Sequence, residues 1–494
     1  MEKNSVLRLS VTQGIYDPLR PYRAPSDREI SGSGFIINIE KGFVVTSAHV
    51  VDNAISIMGR ISKLGKRDIS LEVLSICREK DLALCKINHN DIQLITRGSS
   101  KDVLNDFNFK FGDHMRLKET DEVIAIGYPV GQDTIKYTPG VISGFTTMED
   151  EGLEDSKQRS PTYIQISSRI DRGNSGGPLL NKKGEVVGII SSYSEDFGYA
   201  IPSRTFLSIY NSMIHQTIVK VPTLALEWNK TNRELMKMTT GDERTYGIYV
   251  RRIYPDCCID HLESGDIIKR LDYEDRFWNG NFGFEESGEN IMVKCYFDRY
   301  GDASVGIKKD GRFVKLIDRK VSFAEIMDMI PIGAKLVVEI CRDQEWYEIE
   351  YNYSPIESDR LKPVFPRIEP VDYEIFAGIC CSNLNQSNLF KEKNRKDLYK
   401  KRVVICQIFP DTTTYKTQVL QEGQIIKKLN NHKITCLDDI RKILRDRPTE
   451  ITILTKEGYF FMVQTSTIIP EDKKVIKNFN ISGFRYLLNS NPSP

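Results

Sequence analysis

The sequence has little histidine, no long apolar run and no excess of either charge sign. Its 69 basic and 68 acidic side chains leave a formal net charge of +1 over 494 residues. This balance predicts no nucleic-acid partner, because such binding needs a concentrated basic field. No segment is apolar for long enough to span a bilayer, and the N-terminus lacks the apolar core of a signal peptide. We therefore expect a soluble intracellular protein, of cytoplasm or nucleus, with no membrane partner.

The cysteines also exclude a class of site. All ten lie outside CxxC pairs and outside cysteine and histidine spacings that suit zinc. The adjacent pairs Cys257-Cys258 and Cys380-Cys381 lie in apolar segments. This favours buried free thiols in a reducing compartment over a vicinal redox pair. The sequence therefore predicts no metal centre.

One short stretch suggests chemistry, namely Gly-Asn-Ser-Gly-Gly-Pro at 173–178. A serine between glycines at the tip of a turn presents its hydroxyl freely, and nearby backbone N–H groups can converge on a developing oxyanion. The alternative interpretation is a plain turn between two strands. A serine nucleophile would also need a base and a group that orients the base.

Candidates for both groups are few, because the chain has only six histidines. His49 follows an apolar β-like run, whereas the other five (His89, His114, His215, His261 and His432) have polar or turn-like neighbours typical of a surface. Asp81 opens a short apolar strand at 81–87. A satisfied core histidine and a capping aspartate are the alternatives. The order His49, Asp81, Ser175, each at the edge of a strand-like run, is nevertheless what loops between strands need to assemble a triad.

Five motifs in order carry a resemblance to the HtrA/Deg family of serine proteases. They are Ser-Gly-Ser-Gly-Phe at 31–35, Thr-Ser-Ala-His-Val-Val at 46–51, Lys-Asp-Leu-Ala-Leu at 80–84, Gly-Tyr-Pro at 127–129 and the stretch at 173–178. The resemblance spans residues 30–467 and is closest to the plant-type intracellular branch with two PDZ domains. It implies a mainly β fold, in which a chymotrypsin-like double β-barrel is followed by two PDZ-like α+β domains.

The resemblance also implies a mechanism. Ser175 would be the nucleophile, His49 the general base and then acid, and Asp81 the orienting carboxylate. The N–H groups of Gly173 and Ser175 would form the oxyanion hole. The reaction would be ATP-independent hydrolysis of peptide bonds through an acyl-enzyme, with no metal or cofactor.

Polypeptide substrates, unfolded or regulatory, are the implied partners, together with a homo-oligomer built as a trimer or a multiple of one. Tyr16 and Tyr22 of the N-terminal arm are candidates for the contact between copies. The alternative function is a protein-binding or chaperone-like module whose protease domain is weakly active or latent. The segment before the nucleophile keeps this alternative open, because it departs from the family pattern.

The predicted specificity pocket comprises Arg169, Ile190, Ser191 and Ser192. Arg169 could point outward and pair with Asp171, leaving an apolar pocket, or it could line the pocket and favour acidic P1 residues. We favour the outward orientation, because burial of an unpaired guanidinium is costly.

The second half contains an internal repeat, since Leu-Glu-Ser-Gly-Asp-Ile-Ile at 262–268 matches Leu-Gln-Glu-Gly-Gln-Ile-Ile at 420–426. Two copies predict two domains rather than a solenoid. The predicted organisation is an arm at 1–29, the protease domain at 30–216, a first PDZ-like domain at 223–355 with a long insertion at 273–320, a second at 370–468 and a tail at 469–494.

Two loops match the one with which a PDZ domain holds a peptide carboxylate. The matching residues are Leu224, Ala225 and Leu226 in the first domain and Ala377, Gly378 and Ile379 in the second. Ala225 stands where glycine is usual, and a positive φ there would disfavour alanine. Peptide binding and a purely architectural role are both open.

Overall fold

The computed structural model describes residues 5–97, 107–129, 132–147, 162–193, 197–277, 290–358, 360–388 and 399–481. The chain divides into two compact units, Met1–Gln13 with Glu29–Glu357 and Gly14–Arg28 with Ser358–Pro494. Within the described ranges, no helix combines the length and hydrophobicity that crossing a membrane requires.

The first unit begins with a closed barrel in the strand order β1-β2-β3-β6-β5-β4. Its elements are β1 (Val6–Ile15), β2 (Ser26–Asn38), β3 (Phe43–Ser47), α1 (Ala48–Val51), β4 (Ala54–Arg60), β5 (Ile69–Cys77), β6 (Leu82–Ile87) and α2 (His89–Thr96). The prediction of an arm at 1–29 is wrong for Val6–Ile15, which form β1. Val6, Leu7, Leu9 and Val11 are buried, so this segment is a barrel strand and not an extension outside the core.

A second closed barrel follows, in the order β10-β11-β12-β9-β8-β7. Its elements are β7 (Glu122–Gly127), β8 (Lys136–Thr147), β9 (Thr162–Ile166), β10 (Pro178–Asn181), β11 (Val186–Tyr193), β12 (Gly198–Pro202) and α3 (Ser203–Met213). Phe206 and Tyr210 of α3 pack into a core cluster that also contains Phe35 and Leu84 of the first barrel. The predicted double barrel is confirmed, and the active-site motifs fall where its two halves meet.

The first unit ends in a β-domain that we call the first β-domain (226–352), built on a nine-stranded sheet. Its elements are β13 (Leu226–Asn229), α4 (Arg233–Thr240), β14 (Ile248–Ile253), β15 (Ile267–Asp275), β16 (Ile291–Phe297), β17 (Asp302–Lys309), β18 (Arg312–Lys315), β19 (Val321–Ser322), α5 (Phe323–Met329), β20 (Lys335–Arg342) and β21 (Glu345–Asn352). The insertion at 273–320 supplies β16 to β18, although its residues 278–289 lie outside the described ranges. Ser322 caps α5, since its hydroxyl accepts a hydrogen bond from Glu325 N at 3.2 Å.

The second unit contains the second β-domain (374–478), with a seven-stranded sheet. Its elements are β22 (Glu374–Phe376), β23 (Ile379–Asn383), β24 (Val403–Ile408), α6 (Thr413–Thr417), β25 (Ile425–Leu429), β26 (His432–Lys433), α7 (Leu437–Arg445), β27 (Glu450–Thr455), β28 (Phe460–Gln464) and α8 (Thr465–Asn478). The predicted tail at 469–494 is therefore wrong up to Asn478, because α8 continues the domain. Residues 482–494 lie outside the described ranges.

Tyr22 belongs to the second unit. Its ring lies 5.4 Å from that of Phe409 and 6.1 Å from that of Phe479. Its hydroxyl donates to Gln407 Oε1 at 2.7 Å. Tyr22 therefore packs within the second unit, and its contact between copies stays a prediction.

Buried ion pairs join the barrels to the first β-domain. Arg204 of α3 donates to Asp113 at 2.7 and 3.0 Å and to Asp275 at 2.7 Å, and all three side chains are buried. His114 is also fully buried, with Nε2 3.7 Å from Glu325 Oε1. The expectation that His114 is a surface residue is therefore wrong, because its polar sequence neighbours face a partner domain.

Replacement of Arg204 tests this interface. In Arg204→Met, two buried carboxylates lose their shared cation, and we expect the free energy of unfolding to fall by about 3–5 kcal/mol. Denaturant unfolding followed by circular dichroism measures this change. Lys182→Ala removes half of an exposed pair with Glu122 and should leave stability unchanged. Equal stability of the two variants would contradict the role of Arg204.

Candidate active site

Strand register brings His49 and Asp81 together. In the antiparallel pair of β3 and β6, Ser47 lies opposite Leu82, so the residues just beyond these positions lie side by side. His49 Nδ1 lies 2.9 Å from Asp81 Oδ1 and 2.8 Å from Oδ2, and His49 N donates to Oδ1 at 2.9 Å. Asp81 has a φ of +51°, a left-handed conformation that aspartate tolerates better than most residues. The carboxylate thus fixes both the ring and the backbone of His49.

The charge of Asp81 determines the protonation of His49. Burial alone would lower the pKa of His49, but the hydrogen bond to Asp81 and the negative charge of that side chain outweigh it, so the pKa is raised. The His49 side chain is 49% exposed, which leaves the ring edge away from Asp81 accessible to a reactant. This is the arrangement of a base that an adjacent carboxylate orients.

Ser191 completes the surroundings of Asp81, a role that the sequence did not reveal. Its hydroxyl donates to Asp81 Oδ2 at 2.5 Å. The pairing of β11 with β12 shifts register between Ile190 and Ser192, so Ser191 sits at an irregularity that re-aims its side chain. The sequence placed Ser191 in the specificity pocket. The register shift that turns it toward Asp81 leaves no local signal in the sequence.

Ser175 lies in the same site, and its side chain is hydrogen-bonded to Ser191 rather than to His49. Its Oγ donates to the backbone carbonyl of Ser191 at 2.9 Å. A hydroxyl has one hydrogen, so this bond and a bond to His49 exclude each other. The structure therefore brings Ser175, Ser191, Asp81 and His49 together in an arrangement in which the Ser175 hydroxyl binds Ser191 and not His49.

The turn at 173–175 orients its peptide groups through Ser33 of the first barrel. Ser33 Oγ donates to Gly173 O at 2.7 Å, and Ser33 N donates to Ser175 O at 2.8 Å. Gly173 has a φ of +98°, which glycine adopts without strain. Within the described residues, the N–H groups of Gly173 and Ser175 donate to no backbone carbonyl. These two groups are therefore available to stabilise an oxyanion.

The two glycines after Ser175 allow close packing, Gly176 against the first barrel and Gly177 within the second. A Cβ on Gly176, whose φ is +86°, would lie 2.2 Å from both Ser33 O and Thr46 Oγ1. A Cβ on Gly177 would lie 2.1 Å from Ile126 O. The Gly-Gly sequence is thus a packing requirement of the turn that carries Ser175.

Comparison with known proteins agrees with this geometry. Residues 32–189 match the family described as "Trypsin-like peptidase domain". The chain is 27% identical over 443 residues to a probable periplasmic serine endoprotease DegP-like of Marinomonas sp., covering 87% of this chain and 78% of that protein. It is 25% identical over 439 residues to the periplasmic serine endoprotease DegP of Escherichia coli, covering 86% and 74%. The chain is an HtrA/DegP-like, trypsin-like serine endopeptidase.

A solved structure, "HtrA-type protease AlgW with decapeptide", aligns with 72% of this endopeptidase and 97% of that chain, at 20% identity and a TM-score of 0.45.

The predicted intracellular location is wrong, because both relatives above are named periplasmic enzymes. The prediction relied partly on free cysteines as markers of a reducing compartment. In the structure, nine of the ten cysteines are buried. Burial raises the pKa of Cys77 and of Cys85 to about 12. Such thiols hold almost no reactive thiolate, so their presence does not report the redox state around the endopeptidase.

The residues predicted to line the specificity pocket are not brought together. The Arg169 side chain is 86% exposed, with Nε 3.5 Å from Asp171 Oδ1, so it points outward. Ile190 is fully buried in the core of the second barrel. Ser191 contacts Asp81, and Ser192 continues β11 beside it.

The loop predicted for peptide capture in the first β-domain is enclosed. Leu224, Ala225 and Leu226 are all buried. Ala225 has a φ of +39°, so alanine does occupy the left-handed conformation that the sequence argument considered unfavourable.

The corresponding loop of the second β-domain binds a carboxylate of its own chain. Ala377 N donates to Asp472 Oδ2 at 2.9 Å, and Gly378 N donates to Oδ1 at 2.7 Å. Asp472 lies on α8 and is fully buried. Burial raises the pKa of Asp472 to about 7, although the two amides act in the opposite direction. Ile379, which follows the loop, is a buried residue of β23.

The contact of Asp81 with His49 predicts a pH dependence. His49 must be neutral to accept a proton, so activity should fall as pH decreases through its raised pKa. In Asp81→Asn, the charge that raises this pKa is absent, and the acid limb of kcat/KM should move to lower pH. We expect kcat to fall by about 10⁴ because the ring loses its orientation.

The measurement is a pH series of peptide hydrolysis by the two proteins. Glu79→Gln, which changes a carboxylate two residues from Asp81, is the matched control and should keep the wild-type acid limb. An unchanged limb in Asp81→Asn would contradict the assignment.

Proposed function

We propose that Ser175 is the nucleophile and His49 the general base with which the chain hydrolyses unfolded or regulatory polypeptides, without ATP, metal or cofactor. The observation that carries the proposal is the Asp81 carboxylate, which binds His49 on one side and Ser191 on the other. Ser191 in turn holds Ser175 within reach of the same site.

In the proposed reaction, Ser175 Oγ attacks the scissile carbonyl carbon while its proton passes to the free ring nitrogen of His49. The carbonyl oxygen becomes an oxyanion and accepts hydrogen bonds from the N–H groups of Gly173 and Ser175. Asp81 stabilises the positive imidazolium. His49 then gives the proton to the leaving amine as the C–N bond breaks. Water next hydrolyses the acyl-enzyme by the same steps, with His49 as base.

A latent resting state is the second candidate, and the bond from Ser175 Oγ to Ser191 O favours it. Catalysis requires the hydroxyl to leave this carbonyl and to turn toward His49. A substrate strand whose backbone N–H donates to Ser191 O would compete for the same acceptor. Substrate binding would then release the nucleophile, and the protease domain would be inactive until it is occupied.

Cleavage of an unfolded protein tests the proposal. Wild type should degrade casein, and Ser175→Ala should lower the rate by at least about 10³, because removal of the nucleophile abolishes the acyl-enzyme route. Peptide release measured by gel and mass spectrometry gives both rates. Aggregation of a thermally unfolded client, measured by light scattering, is the control for binding without cleavage. Equal, negligible cleavage together with equal suppression of aggregation would support the chaperone-like alternative instead.

We also propose that the two β-domains are PDZ domains and that the chain forms a homo-oligomer of the trimeric type. The repeated order of loop, strands and capped helix in both domains supports the first part. The second part and the closeness to the plant-type branch rest on the family resemblance alone.

For the second β-domain, we propose that Asp472 takes the place of a peptide C-terminus. A PDZ domain holds a terminal carboxylate through backbone N–H groups of a glycine-containing loop. The N–H groups of Ala377 and Gly378 already donate hydrogen bonds to a carboxylate from α8. This supports an architectural role of the loop over open peptide capture.

Removal of Asp472 tests this occupancy. We expect wild type to bind carboxyl-terminated peptides weakly or not at all and Asp472→Ala to bind them at least about tenfold more tightly, because two charge-assisted hydrogen bonds become available. Fluorescence anisotropy with a peptide library measures this, and amide-capped peptides should fail to bind. Glu471→Ala, which changes the preceding carboxylate that contacts Thr413, should behave as wild type. Equal binding by wild type and Asp472→Ala would contradict the proposal.

A further inference from the structure

Lys80, the residue before Asp81, forms a buried ion pair. Lys80 is 8% exposed, and its ammonium pairs with Oδ1 of Asp328, which is 5% exposed. Asp328 lies on α5 of the first β-domain. The catalytic segment of the first barrel is therefore tied to a domain outside the barrels.

Asp328 also contacts the second barrel. Its Oδ2 accepts a hydrogen bond from Thr162 N, the first residue of β9, at 2.6 Å. Its backbone carbonyl accepts one from Ser208 Oγ of α3 at 3.0 Å. One carboxylate from the first β-domain thus binds both barrels between which the active site forms.

We infer that Asp328 is a positioning residue for peptide hydrolysis, which fixes the turn that carries Asp81 by neutralising and anchoring Lys80. This inference rests on the proposed roles of His49, Asp81 and Ser175. It extends them to a residue that touches none of the reacting atoms.

The turn before Asp81 is short, so a displacement of Lys80 would also displace Asp81. Arg78–Lys80 form a 3₁₀ turn, and Asp81 N donates to Arg78 O at 3.2 Å. Arg78 pairs with Asp52 at 2.9 and 2.6 Å, directly after the helix that carries His49. Lys80 pairs with Asp328 at the other end. The turn is therefore held on both sides, and Lys80 and Asp81 share a peptide group.

Loss of the Asp328 charge should displace this turn. A buried ammonium without a counter-ion is strongly unfavourable, so Lys80 would have to reach solvent and carry the adjacent peptide with it. A shift of about 1 Å in a catalytic group can lower the rate by about 100-fold. The contact of Asp81 with His49 would weaken, and the pKa of His49 would fall.

The experiment uses the full chain and a fluorogenic peptide that wild type cleaves. Asp328→Asn and Lys80→Met should each lower kcat by about 10- to 100-fold, the range that misplacement of a catalytic group produces, with KM unchanged within about twofold. Each should move the acid limb of kcat/KM to lower pH. The double variant Lys80→Met/Asp328→Asn leaves no unpaired charge, so it should recover most of the lost melting temperature, but its kcat should stay low because the anchor is still absent.

Asp275→Asn is the matched control. It removes a buried carboxylate of the same domain interface that pairs with Arg204, in contact with neither Lys80 nor Thr162. It should lower the melting temperature while kcat and the acid limb stay at wild-type values. If Asp328→Asn does not fold, kcat and the acid limb are compared with the control in Lys80→Met and the double variant.

The inference is overturned if Asp328→Asn and Lys80→Met resemble Asp275→Asn, with reduced melting temperature but unchanged kcat and acid limb. It is also overturned if the double variant regains the wild-type kcat, because the anchor would then not be needed. Absence of cleavage by wild type would instead contradict the proposed function on which the inference rests, so the two failures are distinguishable.

Discussion

The candidate active site depends on one buried serine of the first barrel that binds the turn carrying Ser175 in the second. Ser33 donates through its hydroxyl to Gly173 O and through its backbone to Ser175 O, and its Oγ accepts from Tyr128 N at 2.9 Å. These bonds draw two carbonyl groups toward the first barrel. Because a peptide group is planar, fixing these carbonyls also fixes the N–H groups of Asn174 and Gly176, which lie in the same peptide planes. The close approach of Gly176 follows from the same contact, since any side chain there would separate the barrels.

Asp81 is the electrostatic centre that this docking completes. His49 reaches it from the first barrel, and Ser191 reaches it from the second. The carboxylate accepts hydrogen bonds from both side chains and from a backbone N–H, and these donors compensate its charge. A carboxylate supported in this way can hold an imidazolium during catalysis without taking its proton. The separation of the two barrels would remove Ser191 and Ser175 from Asp81 together, which makes docking of the barrels a condition for the chemistry.

Much of the fold and the candidates for the proposed triad were predictable because their signals are local. Alternating apolar residues predict strands, and the stretch at 173–178 predicts an exposed serine. What the sequence did not reveal depends on tertiary packing. Ser191 turns toward Asp81 through a register shift, and the polar sequence neighbours of His114 suggested a surface residue. The burial of His114 follows from the docking of the first β-domain, which no local pattern encodes. Ile190 is excluded from a pocket because it packs in the core of the second barrel.

Two buried carboxylates, Asp328 and Asp472, accept backbone N–H groups in different domains, but only one has a cation. Lys80 compensates Asp328. Among the described residues, Asp472 forms no ion pair and relies on the N–H groups of Ala377 and Gly378, and the charge of Glu471 acts against it. A buried charge without a counter-ion stabilises its contact less, and the pKa of Asp472 near 7 expresses this cost. The N–H groups of Ala377 and Gly378 therefore bind a weakly stabilised carboxylate that another carboxylate could replace. The carboxylate of Asp328, in contrast, is held by the buried charge of Lys80.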